Sequence, residues 1–161
     1  VRLRLLFIVL LLLSTQLPHV LEASSFSDSF SSAHTSLPET QLTIGDKRLK
    51  VEVAATYEAM ARGLMFRNFL ASDAGMLFVF PTEHQASFWM KNTSLPLSIA
   101  YIDLQGKILE IHALIPFEEK PVVAKSSKVF YALEVNRDWF NLNNIKPGMQ
   151  VKGLPTLKLS Q

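Results

Sequence analysis

Residues 75–103 read GMLFVFPTEHQASFWMKNTSLPLSIAYID, and this stretch decides the fold class. Gly75 to Phe80 is a continuous apolar run of the length expected for a buried strand, and Pro81 is expected to end it because proline cannot donate to a ladder. Ser87-Phe88-Trp89-Met90 reads as a second short strand. Lys91-Asn92-Thr93-Ser94 then turns the chain, and Pro96 restricts the backbone that follows. Leu97 to Asp103 pairs with Lys107 to Leu114 as a hairpin around Asp103-Leu104-Gln105-Gly106. In the second arm of that hairpin Leu109, Ile111 and Ala113 share one face, leaving Glu110 and His112 on the other.

The same signals extend outward on both sides. Upstream, Lys50-Val51-Glu52-Val53-Ala54 alternates with period two, as a half-buried strand does. Thr56 is placed to cap a helix from Tyr57 to Phe66, with Asn68 as its stop. Gly63 falls inside that helix at a cost of about 1 kcal/mol against alanine, which points to another backbone packed close to it. Downstream, residues 116–128 lack a period and carry two prolines, so they read as a loop. Val129, Tyr131, Leu133 and Val135 alternate with Phe130, Ala132, Glu134 and Asn136. Asp138 is placed to cap a short helix from Trp139 to Leu142, and Lys146-Pro147-Gly148 turns into a last strand over Met149–Lys152. The expectation is a mainly β, small single-domain, partly open β-barrel-like fold with one or two short helices, over residues 41–161.

Composition limits what such a domain can do. The chain has 161 residues, a net charge of +2 and no cysteine, so disulfides, thiolate metal sites and cysteine nucleophiles are excluded. Lysines and arginines are scattered singly, which argues against nucleic acid as a partner. Arg2 and Arg4 precede the apolar run Leu5–Leu13, and Val20-Leu21-Glu22-Ala23 follows Pro18. That is the layout of a secretory signal peptide over residues 1–23, cut after Ala23, and the run is well short of the roughly 20 apolar residues that span a bilayer. Residues 24–40 are serine-dominated and read as a flexible arm. The protein is therefore expected to be exported, periplasmic or secreted, touching a membrane only through an uncut signal segment.

Three peptides carry a resemblance: Arg62-Gly63-Leu64-Met65-Phe66-Arg67, Gly75-Met76-Leu77-Phe78-Val79-Phe80 and Phe88-Trp89-Met90-Lys91-Asn92-Thr93. With Leu133-Glu134-Val135-Asn136 and Ile145-Lys146-Pro147-Gly148, their order and spacing resemble the domain-of-unknown-function family 192, over roughly Leu42 to Gly153. The resemblance implies one small domain built mainly from β-strands, often in exported bacterial proteins. It implies no particular reaction, substrate or cofactor. Residues 116–128 depart from the short cysteine- or tyrosine-containing pattern of many members.

The polar residues inside these apolar motifs are the site candidates: Arg67, Trp89, Asn92, Thr93 and Glu134. In a binding reading, Asn92 and Thr93 hydrogen-bond a ligand, Arg67 fixes an anionic group and Trp89 supplies an aromatic wall. In a structural reading, Arg67 and Glu134 form an internal ion pair and Asn92 serves the backbone of its own turn. A binding module for a small polar ligand or a segment of an envelope protein is the leading expectation, with no cofactor and no metal. An envelope enzyme using Arg67 and Glu134 is one alternative. Copper(I) handling through the thioethers of Met65, Met76 and Met90 is another, set against the ordinary use of methionine to fill cores. Hydrolysis has less behind it: His84 and Ser87 lack a nucleophile elbow, and neither His84 nor His112 has an orienting partner that sequence can place.

Overall fold

Alternating strands can bury two faces rather than one if something covers each, and this chain does so. The structure, a computed structural model, describes residues 36–155. Its strands are β1 (Glu39–Ile44), β2 (Lys47–Ala54), β3 (Ala74–His84), β4 (Ser87–Phe88), β5 (Leu97–Ile102), β6 (Ile108–Leu114), β7 (Val122–Val123), β8 (Val129–Asn136) and β9 (Val151–Lys152). Two short helices, α1 (Tyr57–Arg62) and α2 (Trp139–Leu142), complete the regular structure of these residues. The proposed signal peptide at 1–23 and the arm as far as residue 35 lie outside the described residues. The first strand starts at Glu39, so Glu39 and Thr40 belong to the sheet rather than to the arm.

Seven strands form one sheet in the order β6-β5-β8-β3-β2-β1-β9, and β4 and β7 pair separately. Every neighbour is antiparallel except β2 and β3, which run parallel because the connection carrying α1 returns the chain to the same end. The sheet curls until its two outer strands touch at one end. There the Ile108 N–H donates to the Met149 carbonyl at 2.9 Å, Gly148 N–H to Ile108 at 2.7 Å and Val151 N–H to Gly106 at 2.8 Å. This is a mainly β, curled half-barrel in one small domain, the fold class read from the strand pattern.

Each face of the sheet has its own core. Inside the curl lie Leu42, Val51, Leu77, Val79, Ile102, Leu133 and Val135, closed by Trp139 and Phe140 of α2. On the outer face lie Met76, Phe78, Leu97, Ile99, Tyr101 and Ala132, covered by Leu64, Ala86, Met90 and Leu95 from the connections. All six residues of β5 are buried for this reason. Burying a large apolar side chain contributes about 1.5–3 kcal/mol, so the outer cover is as much part of the fold as the barrel interior.

Local expectations were met in part. The Thr56 side chain caps α1, accepting from Ala59 N–H at 3.2 Å. The helix ends at Arg62, however, so Gly63 lies just past it rather than inside it, and Asn68 is not its stop. Gly63 has φ 48°, a conformation other residues avoid, and the Phe78 ring rather than another backbone would meet its Cβ, at 3.4 Å. Pro81 does not end β3, which runs on to His84. The register with β8 shifts between Val79 and His84, so no ladder bond is asked of the proline nitrogen. Asp138 does not cap α2 through its side chain: its φ is 64°, and its N–H donates to Ser98 Oγ at 3.1 Å. The loop over 116–128 contains the two-residue β7.

Candidate functional site

Four strands place one residue each in a row across the outer face: Glu52 on β2, Met76 on β3, Glu134 on β8 and Ile99 on β5. At about 4.8 Å between strands, Glu52 and Glu134 stand roughly 10 Å apart with Met76 between them. Arg67 selects one of the two. Its guanidinium grips the Glu52 carboxylate with both terminal nitrogens, Nη2 to Oε2 at 2.7 Å. The pair is half-buried, and the hydrogen bond from Arg67 holds the Glu52 carboxyl below its ordinary value. The expected Arg67–Glu134 ion pair is thus replaced by Arg67–Glu52, two strands along the same row from the expected acid.

Glu134 is left without a cation. It is only 4% exposed, and its two ladder neighbours are the apolar Met76 and Ile99. Among the described residues it makes no side-chain hydrogen bond, whereas every polar side-chain atom there that is sealed from solvent has a partner. The Glu134 carboxyl therefore opens onto a space rather than into closed packing. Burial pushes its pKa up to about 8, so that it is largely protonated at neutral pH.

That space is a narrow cleft of about 40 Å³. One side is the end of α1 and the turn after it, from Met60 to Met65; another is aromatic, from Phe78, Phe88 and Trp89; Thr93 and Glu134 supply polar groups. The turn is held in place by the third motif. Phe66 N–H donates to the Asn92 carbonyl at 2.9 Å, and Ser94 Oγ donates to the Arg67 carbonyl at 3.2 Å. Phe66 (φ 63°) and Asn92 (φ 53°) are both left-handed, a conformation asparagine tolerates better than most residues. Thr93 is buried, and its hydroxyl donates to the Lys91 carbonyl at 3.1 Å. Trp89 is 47% exposed at the edge of the cleft, with the Lys91 ammonium 5.2 Å from its ring centre.

Of the five site candidates, Trp89, Thr93 and Glu134 meet at this cleft and Arg67 and Asn92 do not line it. Asn92 is exposed and contributes its backbone. Met60, Phe78 and Phe88 were not singled out for the site; the motif peptides contain the two phenylalanines, but only the fold turns them to one place. Met65 lines the cleft, whereas Met76 and Met90 are buried in the outer core. An enzyme working Arg67 against Glu134 finds no common cleft for them.

A second polar cluster lies on β6. His112 meets Glu110 at 2.7 Å, and the other Glu110 oxygen accepts the N–H groups of Lys125 and Ser126 at 2.8 and 3.2 Å. Burial alone would raise the Glu110 pKa; the bonds from His112, Ser126 and Lys125 outweigh it and hold the value low. His112 was expected on an exposed face without a partner, but it is half-buried and oriented by Glu110. The arrangement latches the backbone of Lys125 and Ser126 to the sheet. His84 is exposed, edge-on to Phe80 at 4.4 Å.

Residues 40–153 match the family DUF192, described as an uncharacterised ACR. A crystal structure from Sinorhizobium meliloti 1021, solved under the provisional description of a transcription regulator, is 31% identical with a TM-score of 0.71, covering 73% of this chain and 95% of that one. A protein of unknown function from Novosphingobium aromaticivorans DSM 12444 is 32% identical with a TM-score of 0.65, covering 71% of this chain and 83% of that one. No curated protein matches the chain.

Proposed function

This chain belongs to the DUF192 family, and from that premise we propose that it is a binding module whose small polar ligand enters the cleft at Glu134. The observation that carries the reading is the state of Glu134: a carboxyl, buried in an apolar core and left unbonded, opening onto a cleft built from the family motifs. A buried acid without a partner costs stability, and a fold gains nothing from it unless something else occupies the site. Thr93 adds a second polar group, and Trp89 gives the mouth an amphipathic wall of the kind common in ligand sites. At about 40 Å³ the cleft takes one polar group of a ligand, with the remainder lying at its mouth beside Trp89.

Export belongs to the same proposal. It is supported by the basic, apolar and small-residue layout of residues 1–23, and export would put the ligand in the periplasm or outside the cell. The description attached to the Sinorhizobium protein is not carried over: a net charge of +2 with dispersed lysines and arginines offers no stripe for phosphates. Native mass spectrometry of the protein purified from its own exported compartment tests the reading. A ligand mass lost on denaturation and weakened in Trp89→Ala, with the variant still folded, is the expected result. A ligand retained equally by Trp89→Ala and Glu134→Gln would place binding elsewhere and refute this assignment.

A further inference from the structure

The cleft is unusual in what it lacks. Apart from the exposed Arg62 at its border and the proton of the Glu134 carboxyl itself, its polar groups accept hydrogen bonds rather than donate them. The Thr93 hydroxyl proton is directed to the Lys91 carbonyl, so the oxygen has only lone pairs left to offer a ligand. The end of α1 that borders the cleft is its carboxyl end, the partially negative end of the helix. Phe78, Phe88 and Trp89 present π-systems, whose faces are negative, and Met60 and Met65 present polarisable thioethers.

We infer that the ligand of this cleft presents a primary ammonium on an apolar stem, with its charge against Glu134 and its stem along Phe78, Phe88 and Trp89. This deepens the binding-module reading and rests on it. An ammonium offers three donors and no acceptor, which is the complement of an acceptor-rich cleft. It also restores to Glu134 the cation that Arg67 gives instead to Glu52. The aromatic wall adds a cation–π attraction, already visible where Lys91 lies over Trp89.

The groups facing Glu134 support this choice. Met76 and Ile99 flank it on the neighbouring strands. Tyr101 follows Ile99 on the same face of β5, but its hydroxyl is tied to the Val122 carbonyl at 2.6 Å. Arg62 borders the cleft as an exposed residue, and its charge is not among the influences on the Glu134 carboxyl, which burial alone accounts for. Because that carboxyl is largely protonated in the free protein at neutral pH, an ammonium that binds it as a carboxylate must displace its proton to solvent.

The experiment uses the protein as exported with three probes of similar shape, n-butylammonium, n-butanol and n-butyrate, followed by amide chemical shifts and by calorimetry at pH 7 in two buffers of different ionisation enthalpy. The expected result is about tenfold or greater preference for butylammonium over butanol, with shifts centred on Thr93 and Glu134 and net proton release on binding. Glu134→Gln should reduce the preference to near unity, and Trp89→Ala, at an exposed position, should weaken butylammonium several-fold without loss of fold. Binding of butanol or butyrate at least as strong as butylammonium would overturn the ammonium assignment while leaving the binding module standing. If none of the probes reaches the cleft, the binding reading falls, and the ammonium assignment with it.

Discussion

Replacing Glu134 by glutamine should change how stability depends on pH, and the size of the change can be worked out. The carboxyl has an ordinary pKa of 4.5 and is pushed up to about 8 in the folded protein. Below 4.5 both states hold the proton and the group has no pH effect. Between 4.5 and 8 the unfolded chain releases the proton and the folded protein keeps it. The folded state then binds more protons, so stability falls as pH rises, by about 1.4 kcal/mol per unit, and levels off above the folded pKa. From pH 5 to pH 7 the loss is about 3 kcal/mol, a large share of the stability of a small domain. Glutamine has the same shape and no titration. The stability of Glu134→Gln relative to the natural protein should therefore rise by about 3 kcal/mol between these pH values. In melting temperature that is roughly 10 °C. Urea unfolding of both proteins at pH 5, 6, 7 and 8 reads this directly, because every other titrating group cancels in the difference. Parallel pH profiles would refute the reasoning, since they would mean that the Glu134 carboxyl is solvated or paired.

Other substitutions probe the surroundings. Gly75→Ala would set a Cβ 2.5 Å from the Glu134 carbonyl, so β8 must shift under the carboxyl; denaturation should show a loss of about 1–3 kcal/mol, and butylammonium binding should weaken with it. Arg67→Met removes the Glu52 partner and should cost about 1 kcal/mol at pH 7. Because Arg67 lowers the Glu52 pKa, that stabilisation is present above the ordinary carboxylate range and lost as pH falls through the lowered value; the cost should vanish in acid while probe binding at pH 7 is unchanged. Thr56→Ala removes the cap of α1 and should cost about 1 kcal/mol by urea unfolding.

The fold was largely legible because strand signals are local. Period-two alternation located β2, β6 and β8, and the turn residues around Gly106 located the β5–β6 hairpin. The misreadings arose where a distant partner overrides a local rule. Gly63 reads as part of α1 in sequence because its left-handed backbone and the Phe78 ring above it are not visible in the residues around it. Pro81 reads as a strand end because the register shift that accommodates it belongs to the pairing with β8. For the site, sequence singled out Trp89, Thr93 and Glu134 as polar or amphipathic residues within apolar motifs. It could not choose between Glu52 and Glu134 as the partner of Arg67, because the strand order that sets them in one row is a property of the sheet. Nor could it show that the second face of β8 is buried, which turns Glu134 from a solvated charge into a protonated acid over a cleft.

The carboxyl ¹³C resonance of Glu134, followed against pH with and without n-butylammonium, tests the central claim most directly. The account predicts a titration near pH 8 in the free protein that moves toward the ordinary carboxylate range when the probe is bound. A midpoint near 4.5, unchanged by the probe, would contradict it.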